Sequence, residues 1–294
     1  MNKIFVRIRG GIGNQLFCYA AARRLSYVNN AELILDHRTG FAKDYKYNRK
    51  FMLDSFQVPA RKIRRFELMW PFEGVWLSFL KFITRHKFFS NSFYIEQKDM
   101  NYNDNLLNLQ LKGNIYLDGY WQSEDYFKDI ESVIRNDLKI IPPKDKINQS
   151  IVHNILKLPS VAIHVRWFDN PGNIESHNIN VDYYNRAIEI IENMVEYAHY
   201  FIFSDDPDAA KSKLILPEKR FTYISHNKGD QNAYADLWLM SKCHYFITAN
   251  STFSWWAAWL SDFENKIVLT PNFTVQGKTE WGFIGLIPKE WIKV

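Results

Sequence analysis

Only two cysteines, Cys18 and Cys243, occur in 294 residues, and both stand in apolar segments. That is too few for a disulfide framework and points to two buried thiols in a reducing compartment. Long uncharged apolar runs are missing as well. The most hydrophobic stretch, 66–89, contains Glu67, Pro71, Glu73 and Lys81 and falls short of a spanning helix. The opening residues, MNKIFVRIRGG, hold a short apolar run broken by Arg7, which does not read as a secretory leader. Nor is there a large charge excess. The formal net charge is +5, and most Lys and Arg alternate with Asp and Glu, unlike the basic stripe of a nucleic-acid binder. No nucleic-acid partner is expected, and the location expected is cytoplasmic. One local exception is RKIRR at 61–65, followed by Lys81, Arg85 and Lys87. With Trp70, Trp76 and Phe79 nearby, the 61–89 stretch reads equally as a solvated basic face or as a peripheral contact with anionic lipid on the inner membrane face.

What is present is a folded chain: 47% of residues are hydrophobic and 23% charged, the balance of a globular protein with a sizeable core. The order begins with an alternating strand at Ile4–Ile8, the glycine turn RGGIGNQ, a helix with Leu16, Phe17, Ala20, Ala21, Leu25 and Val28 at helical spacing, and a strand at Leu33–Leu35. Strand, glycine turn, helix and strand open a parallel α/β sheet. Residues 40–110 are rich in aromatics and read as mostly helical or irregular. A strand, a loop and a helix from Ser123 are expected across 113–127, and Pro142-Pro143 marks a connector. Beyond it the alternation restarts, with strands at Val161–Val165, 200–204, 221–225, 245–249 and 266–270, and helices at 181–195, in YADLWLMSKC and in TFSWWAAWLS. Two α/β units meeting near 140–150 is the simplest architecture. Ligands in such sheets sit at the carboxyl ends of strands, so the loops after Ile8, Val165, Ser204 and Ala249 are expected to share a cleft.

Those strand ends carry the chemistry. Gly10, Gly11 and Gly13, with Asn14 and Gln15, form a turn whose N–H groups and helix dipole suit an anion, though structural glycines explain it as well. The turn is neither a P-loop nor a dinucleotide fingerprint. His164 and Arg166 leave one strand face together, and Arg166 brings a planar fork suited to phosphate oxygens while Asp169 braces the loop or the arginine. Asp205 and Asp206 either cap a helix opening at Pro207 or accept from the ring N–H and exocyclic amine of a base such as guanine. A third reading, a cation held by Asp206 and Asp208, ranks below both. Asn250, Ser251, Thr252 and Ser254 precede an apolar helix and offer a second phosphate cradle. Trp255, Trp256 and Trp259 read as core.

Taken together, GGIGNQLFCYAAARRLS, GYWQSEDYF, IHVRWFDNPG, VDYYNRAIEII, FSDDPDAAK and ANSTFSWWAAWLS resemble the bacterial α-1,2-fucosyltransferases, glycosyltransferase family 11, in order from residue 10 to 261. The resemblance implies an α/β fold of GT-B type, two Rossmann-like domains facing a central cleft. It implies an N-terminal domain at 1–145 on the acceptor side, with the 40–110 insertion, and a C-terminal domain at 146–294 binding the donor. It further implies transfer of L-fucose from GDP-β-L-fucose, as substrate and not cofactor, with inversion, to the 2-hydroxyl of a terminal galactose. No metal is implied. The acceptor expected is a surface glycan or its lipid-linked precursor. His164 and Arg166 match the motif facing the diphosphate, Asp169 its acidic member, Asp205 and Asp206 the guanine block, Thr252 and Ser254 the phosphate block. Gly11, Gly13, Asn14 and Gln15 match the loop near the diphosphate or acceptor. Trp167 stands where the family has a second arginine, which motivates an alternative: a sugar-nucleotide-binding protein of the same fold with weak or lost catalysis.

Overall fold

The computed structural model describes residues 1–45, 47–64, 67, 94–167, 178–272 and 282–294. Asp169 and nearly all of the basic aromatic 61–89 stretch lie outside the described residues. The chain divides into two compact units, Met1–Lys139 with Phe283–Leu286, and Ile140–Gly282 with Ile287–Val294.

The first unit is a parallel five-stranded sheet. In chain order its strands are β1 (Lys3–Arg7), β2 (Glu32–Asp36), β3 (Arg61–Lys62), β4 (Tyr94–Glu96) and β5 (Ile115–Asp118), arranged β3-β2-β1-β5-β4. Its long helix α1 (Ile12–Val28) follows the glycine turn, and Gly10 takes φ +75°, a backbone region open to glycine at little cost. Twelve of the 17 residues of α1 are buried, so this helix is apolar nearly all round and sits in the core. Gly40 permits a close approach: a Cβ there would lie 2.0 Å from the Ile8 carbonyl oxygen, so the chain after β2 presses on the end of β1.

The described residues of 40–110 are irregular or 3-10 helical apart from the short strands β3 and β4. Contrary to expectation, no α-helix begins at Ser123. Ser123 does cap, accepting from Asp125 N–H at 3.2 Å, but the turn closes as 3-10 helix at Glu124–Tyr126 and again at Lys128–Ile130. Tyr126 and Phe127 are both buried, and the chain regains α geometry only in α2 (Glu131–Asp137).

The second unit is a parallel six-stranded sheet: β6 (Ser160–Val165), β7 (His199–Ser204), β8 (Phe221–Ile224), β9 (Tyr245–Ile247), β10 (Val268–Thr270) and β11 (Ile292–Lys293), arranged β11-β10-β9-β6-β7-β8. Every residue of β6 is buried, as expected for a central strand with both faces covered. Helices α3 (Lys146–Lys157), α4 (Val181–Met194), α5 (Pro207–Lys213), α6 (Ala233–Ser241) and α7 (Thr252–Leu260) complete the described part. The helix α3 begins where the sequence suggested a connector, capped by Asp145, which accepts from Asn148 N–H at 2.9 Å. Trp255, Trp256 and Trp259 on α7 are buried and packed ring against ring. They are core, each worth on the order of 3–5 kcal/mol against alanine. Tyr183 of α4 donates its hydroxyl to the Thr248 carbonyl at 2.8 Å, pinning the chain that leaves β9. Cys18 and Cys243 are free and buried.

Candidate active site

The carboxyl ends of β6, β7 and β9 gather most of the expected residues of the second unit. Strands β6 and β7 pair in register up to Val165 and Ser204, so Arg166 and Asp205 leave the sheet side by side. Arg166 Nη1 lies 2.7 Å from Asp205 Oδ2, and Trp167 N–H donates to Asp205 Oδ1 at 3.0 Å. One carboxylate therefore aims the guanidinium and fixes the start of the loop. The two side chains are 28% and 30% exposed, and a pair so placed adds only about 0–1 kcal/mol to stability. Its value is orientation. Burial pushes the Asp205 carboxyl above its usual range, while Arg166 and the Trp167 N–H pull it back.

His164 lies two residues back on the same strand face. Its ring is buried 5.3 Å from the Phe253 ring in the first turn of α7. Burial, aided by the Arg166 charge, pushes its pKa down to about 3, so the imidazole is neutral at physiological pH. Its buried Nδ1 has no hydrogen-bond partner among the described residues. A neutral ring donates one hydrogen bond and accepts one, but so low a pKa makes a poor general base.

Trp167 points the other way. It is buried in the hydrophobic cluster that includes Tyr184, Ile188 and Ile202, and Lys213 Nζ lies 6.0 Å from the centre of its ring system. Where the resemblance expects a second arginine, this chain places a core side chain.

Asp206 caps α5, accepting from Ala209 N–H at 3.0 Å, and its own N–H donates to Ser204 Oγ at 3.1 Å. Asp208 is exposed and pairs with Lys211. Among the described residues no group of three or more His, Cys, Asp and Glu side chains is placed to hold a metal. At the start of α7, Ser251 caps the helix by accepting from Phe253 N–H at 3.3 Å. Ser254, fully buried, accepts from Ala249 N–H at 3.2 Å and donates to the Ser251 carbonyl at 3.3 Å. Its hydroxyl is spent holding the turn. Asn250 is buried just before the cap and Thr252 is half-buried at the first helical position.

In the first unit the glycine turn is firmly built. Gln15 is fully buried and donates to the carbonyls of Gly10 and Lys50 at 2.9 and 2.8 Å, while its oxygen accepts from Met52 N–H at 2.9 Å. It clamps the loop before Met52 onto the turn. Asn14 Oδ1 accepts from Gln122 at 2.8 Å, joining the turn to the loop after β5. Gly13 is buried inside α1, and a Cβ on Gly11 would meet nothing within 4 Å. A carboxylate that no local pattern announces stands behind this turn: Asp118, at the end of β5, accepts from Arg7 at 3.1 Å and from Tyr94. A second unsuspected network in the other unit ties Asn148 to His226 and Asn227, and Asn227 to Asp236, whose carboxyl burial raises to about 7.

The family model of glycosyl transferase family 11 matches residues 3–279. The chain belongs to that family. This glycosyltransferase is 27% identical over 299 residues to an alpha-1,2-colitosyltransferase of Escherichia coli, covering 100% of this chain and 99% of the relative. It is 28% identical to the O-antigen biosynthesis glycosyltransferase WbnK of Escherichia coli, with 90% and 92% covered. Among solved structures, the fucosyltransferase NodZ from Bradyrhizobium superposes with a TM-score of 0.54 at 14% identity, covering 94% of this chain and 96% of that one. A mutant of Arabidopsis thaliana FUT1 in complex with GDP gives 0.54 at 12% identity, covering 95% and 71%. The shared fold is the α/β fold with two parallel sheets seen in these GT-B-like enzymes. Among the described residues no helix is long and apolar enough to cross a membrane.

Proposed function

We propose that the protein transfers L-fucose from GDP-β-L-fucose, with inversion, to the 2-hydroxyl of a terminal galactose in a surface glycan or its lipid-linked precursor, at the cytoplasmic face of the membrane. The observation that carries this reading is Arg166, a permanent cation aimed by Asp205 from the carboxyl end of a central parallel strand. In the reaction the bond from the fucose anomeric carbon to the β-phosphate oxygen breaks. The galactose oxygen attacks from the opposite face, its proton passing to water or to the departing diphosphate, and GDP departs with the bonding pair. Charge builds on the diphosphate as it leaves. A donor already in place there is worth about 3 kcal/mol, because it needs no reorganisation at the moment of reaction.

In this reading the second unit binds GDP-fucose. Arg166 meets the diphosphate, and Asn250, Ser251 and Thr252 offer polar groups at the start of α7. His164, neutral and buried, shapes the site or bonds the donor. Asp169 completes the motif. Asp206 joins Asp205 in the guanine-binding block and also stiffens it as a helix cap, and Ser254 serves the phosphate block by holding its turn. The first unit takes the acceptor, with Gly11, Gly13, Asn14 and Gln15 building its glycine turn.

A second donor is favoured by the relative named as a colitosyltransferase. Colitose is fucose without its 3-hydroxyl, so the same cation and the same in-line displacement serve either sugar. The test is incubation with GDP-fucose, or with its 3-deoxy analogue, and a panel of terminal galactosides, with the linkage of the product read by NMR. An α-1,2-fucosyl product supports the proposal. Turnover of the 3-deoxy donor alone moves the reading to colitosyl transfer. Binding of GDP-fucose without release of GDP by any galactoside would contradict both.

A further inference from the structure

Arg9 stands between β1 and the glycine turn. It lies at the carboxyl edge of a parallel sheet, the side on which such sheets place ligands. Its guanidinium carbon stacks 4.4 Å over the centre of the Tyr120 ring, and its Nη1 stands 3.5 Å from Asp118 Oδ1. Its backbone is pressed from behind, since a Cβ on Gly40 would lie 2.8 Å from the Arg9 Cβ. The Tyr120 platform is equally fixed. Gln97 Oε1 accepts from Tyr120 N–H at 2.8 Å and from Trp121 N–H at 3.0 Å, and Trp121 takes a positive φ of 55°. A bulky residue in that conformation is held by its surroundings and marks a loop built to a set shape.

Rigid as it is, this arginine is not saturated by the described residues. Arg24, by contrast, makes charge-assisted bonds to Asp129 at 2.7 and 2.9 Å and a further one to the Leu107 carbonyl. The Arg9 contact to Asp118 at 3.5 Å is long for a hydrogen bond, and its buried Nε has no partner among the described residues. The side chain is 30% exposed, and the neighbouring Gly11 faces open space.

A planar fork, preorganised on an aromatic ring beside an open turn, suits a pair of oxygen acceptors. Formal charges choose between neutral and anionic ones. The Asp118 carboxylate already faces both Arg7 and Arg9, at 3.1 and 3.5 Å, and would repel an anion brought onto the Arg9 fork, which leaves the fork to neutral oxygens. We infer that Arg9 recognises neutral sugar hydroxyls of the acceptor, with Tyr120 and Asp118 as its positioning residues. The inference deepens the transferase reading above and rests on it; absence of any transfer by the unaltered protein would take both away.

The test uses the full-length protein with Arg9→Ala and Arg9→Lys, the second keeping the charge beside Asp118 so that a folding defect is separated from a binding one. A hydrogen bond from a charged donor sets the scale, about 10- to 100-fold in acceptor KM. Both variants are expected to show that rise, with kcat at saturating acceptor changed by less than about threefold and GDP affinity by calorimetry unchanged. Monodeoxy galactosides locate the contact. For one of them, the acceptor lacking the bonded hydroxyl, the unaltered protein and Arg9→Ala should have matching KM values. An unchanged acceptor KM in both variants, a matching loss of GDP affinity, or an equal Arg9→Ala penalty on every monodeoxy acceptor would each overturn the inference.

Discussion

Each unit ends a central parallel strand in arginine and holds that arginine with an aspartate from the strand beside it, yet the two pairs sit in different surroundings. In the second unit, Arg166 and Asp205 are 28% and 30% exposed. In the first, Asp118 is 2% exposed, with Arg7 at 3.1 Å and the Tyr94 hydroxyl on the same oxygen. Similar geometry therefore does different work. Water screens the Arg166–Asp205 pair, so its removal costs little stability and its role is to aim a cation. In the Arg7–Asp118 pair the carboxylate is buried, so losing it leaves an arginine and a phenol without their partner in the interior.

That contrast can be broken by experiment. Asp118→Ala should have the largest effect, about 3–5 kcal/mol of lost stability in urea unfolding; a loss below about 1 kcal/mol would make the two pairs equivalent. Next comes Arg166→Ala, for which kcat should fall about 10²–10³-fold with an unchanged unfolding curve. Asp205→Asn takes away the carboxylate that aims the guanidinium and leaves the guanidinium in place, so kcat/KM should fall about tenfold while stability stays within about 1 kcal/mol. If Asp205→Asn unfolds the protein, the orientation argument fails.

The smallest effect concerns Asp236. Its folded pKa of about 7 lies above the ordinary carboxylate value, so the folded state holds the proton more tightly than the unfolded chain. Its contribution to stability is full at acidic pH and is lost as pH rises through about 7. Asp236→Asn keeps an oxygen for Asn227 and cannot ionise. It should be more stable than the unaltered protein at pH 9, by at least about 1 kcal/mol or roughly 2–4 °C, and no more stable at pH 4.

Much of the second unit was legible in the sequence because its strands are short apolar runs and its helices amphipathic. Val161–Val165 and the helix from Val181 show this, and Asp206-Pro207 announces a cap and a first helical turn. Helix α3 was not, since the prolines before it read as a connector and only Val152, Ile155 and Asn148 of its 12 residues are buried. Strands β3 and β11 have two residues each, too few for any periodicity. In the site, His164 and Arg166 were visible as polar interruptions of an apolar strand. Their partners were not. Asp205 meets Arg166 because of strand register across 39 residues, Asp118 meets Arg7 across 111, and nothing local in the chain encodes either pairing. Trp167 was legible as an oddity, and the side of the strand it occupies explains it: alternation sends it into the core while His164 and Arg166 face away.

The most direct test of the central claim is a crystal structure with GDP bound. Arg166 is expected at hydrogen-bond distance, about 3 Å, from diphosphate oxygens while still paired with Asp205. A diphosphate with Arg166 turned away from it, or with a cation standing between the two, would contradict it.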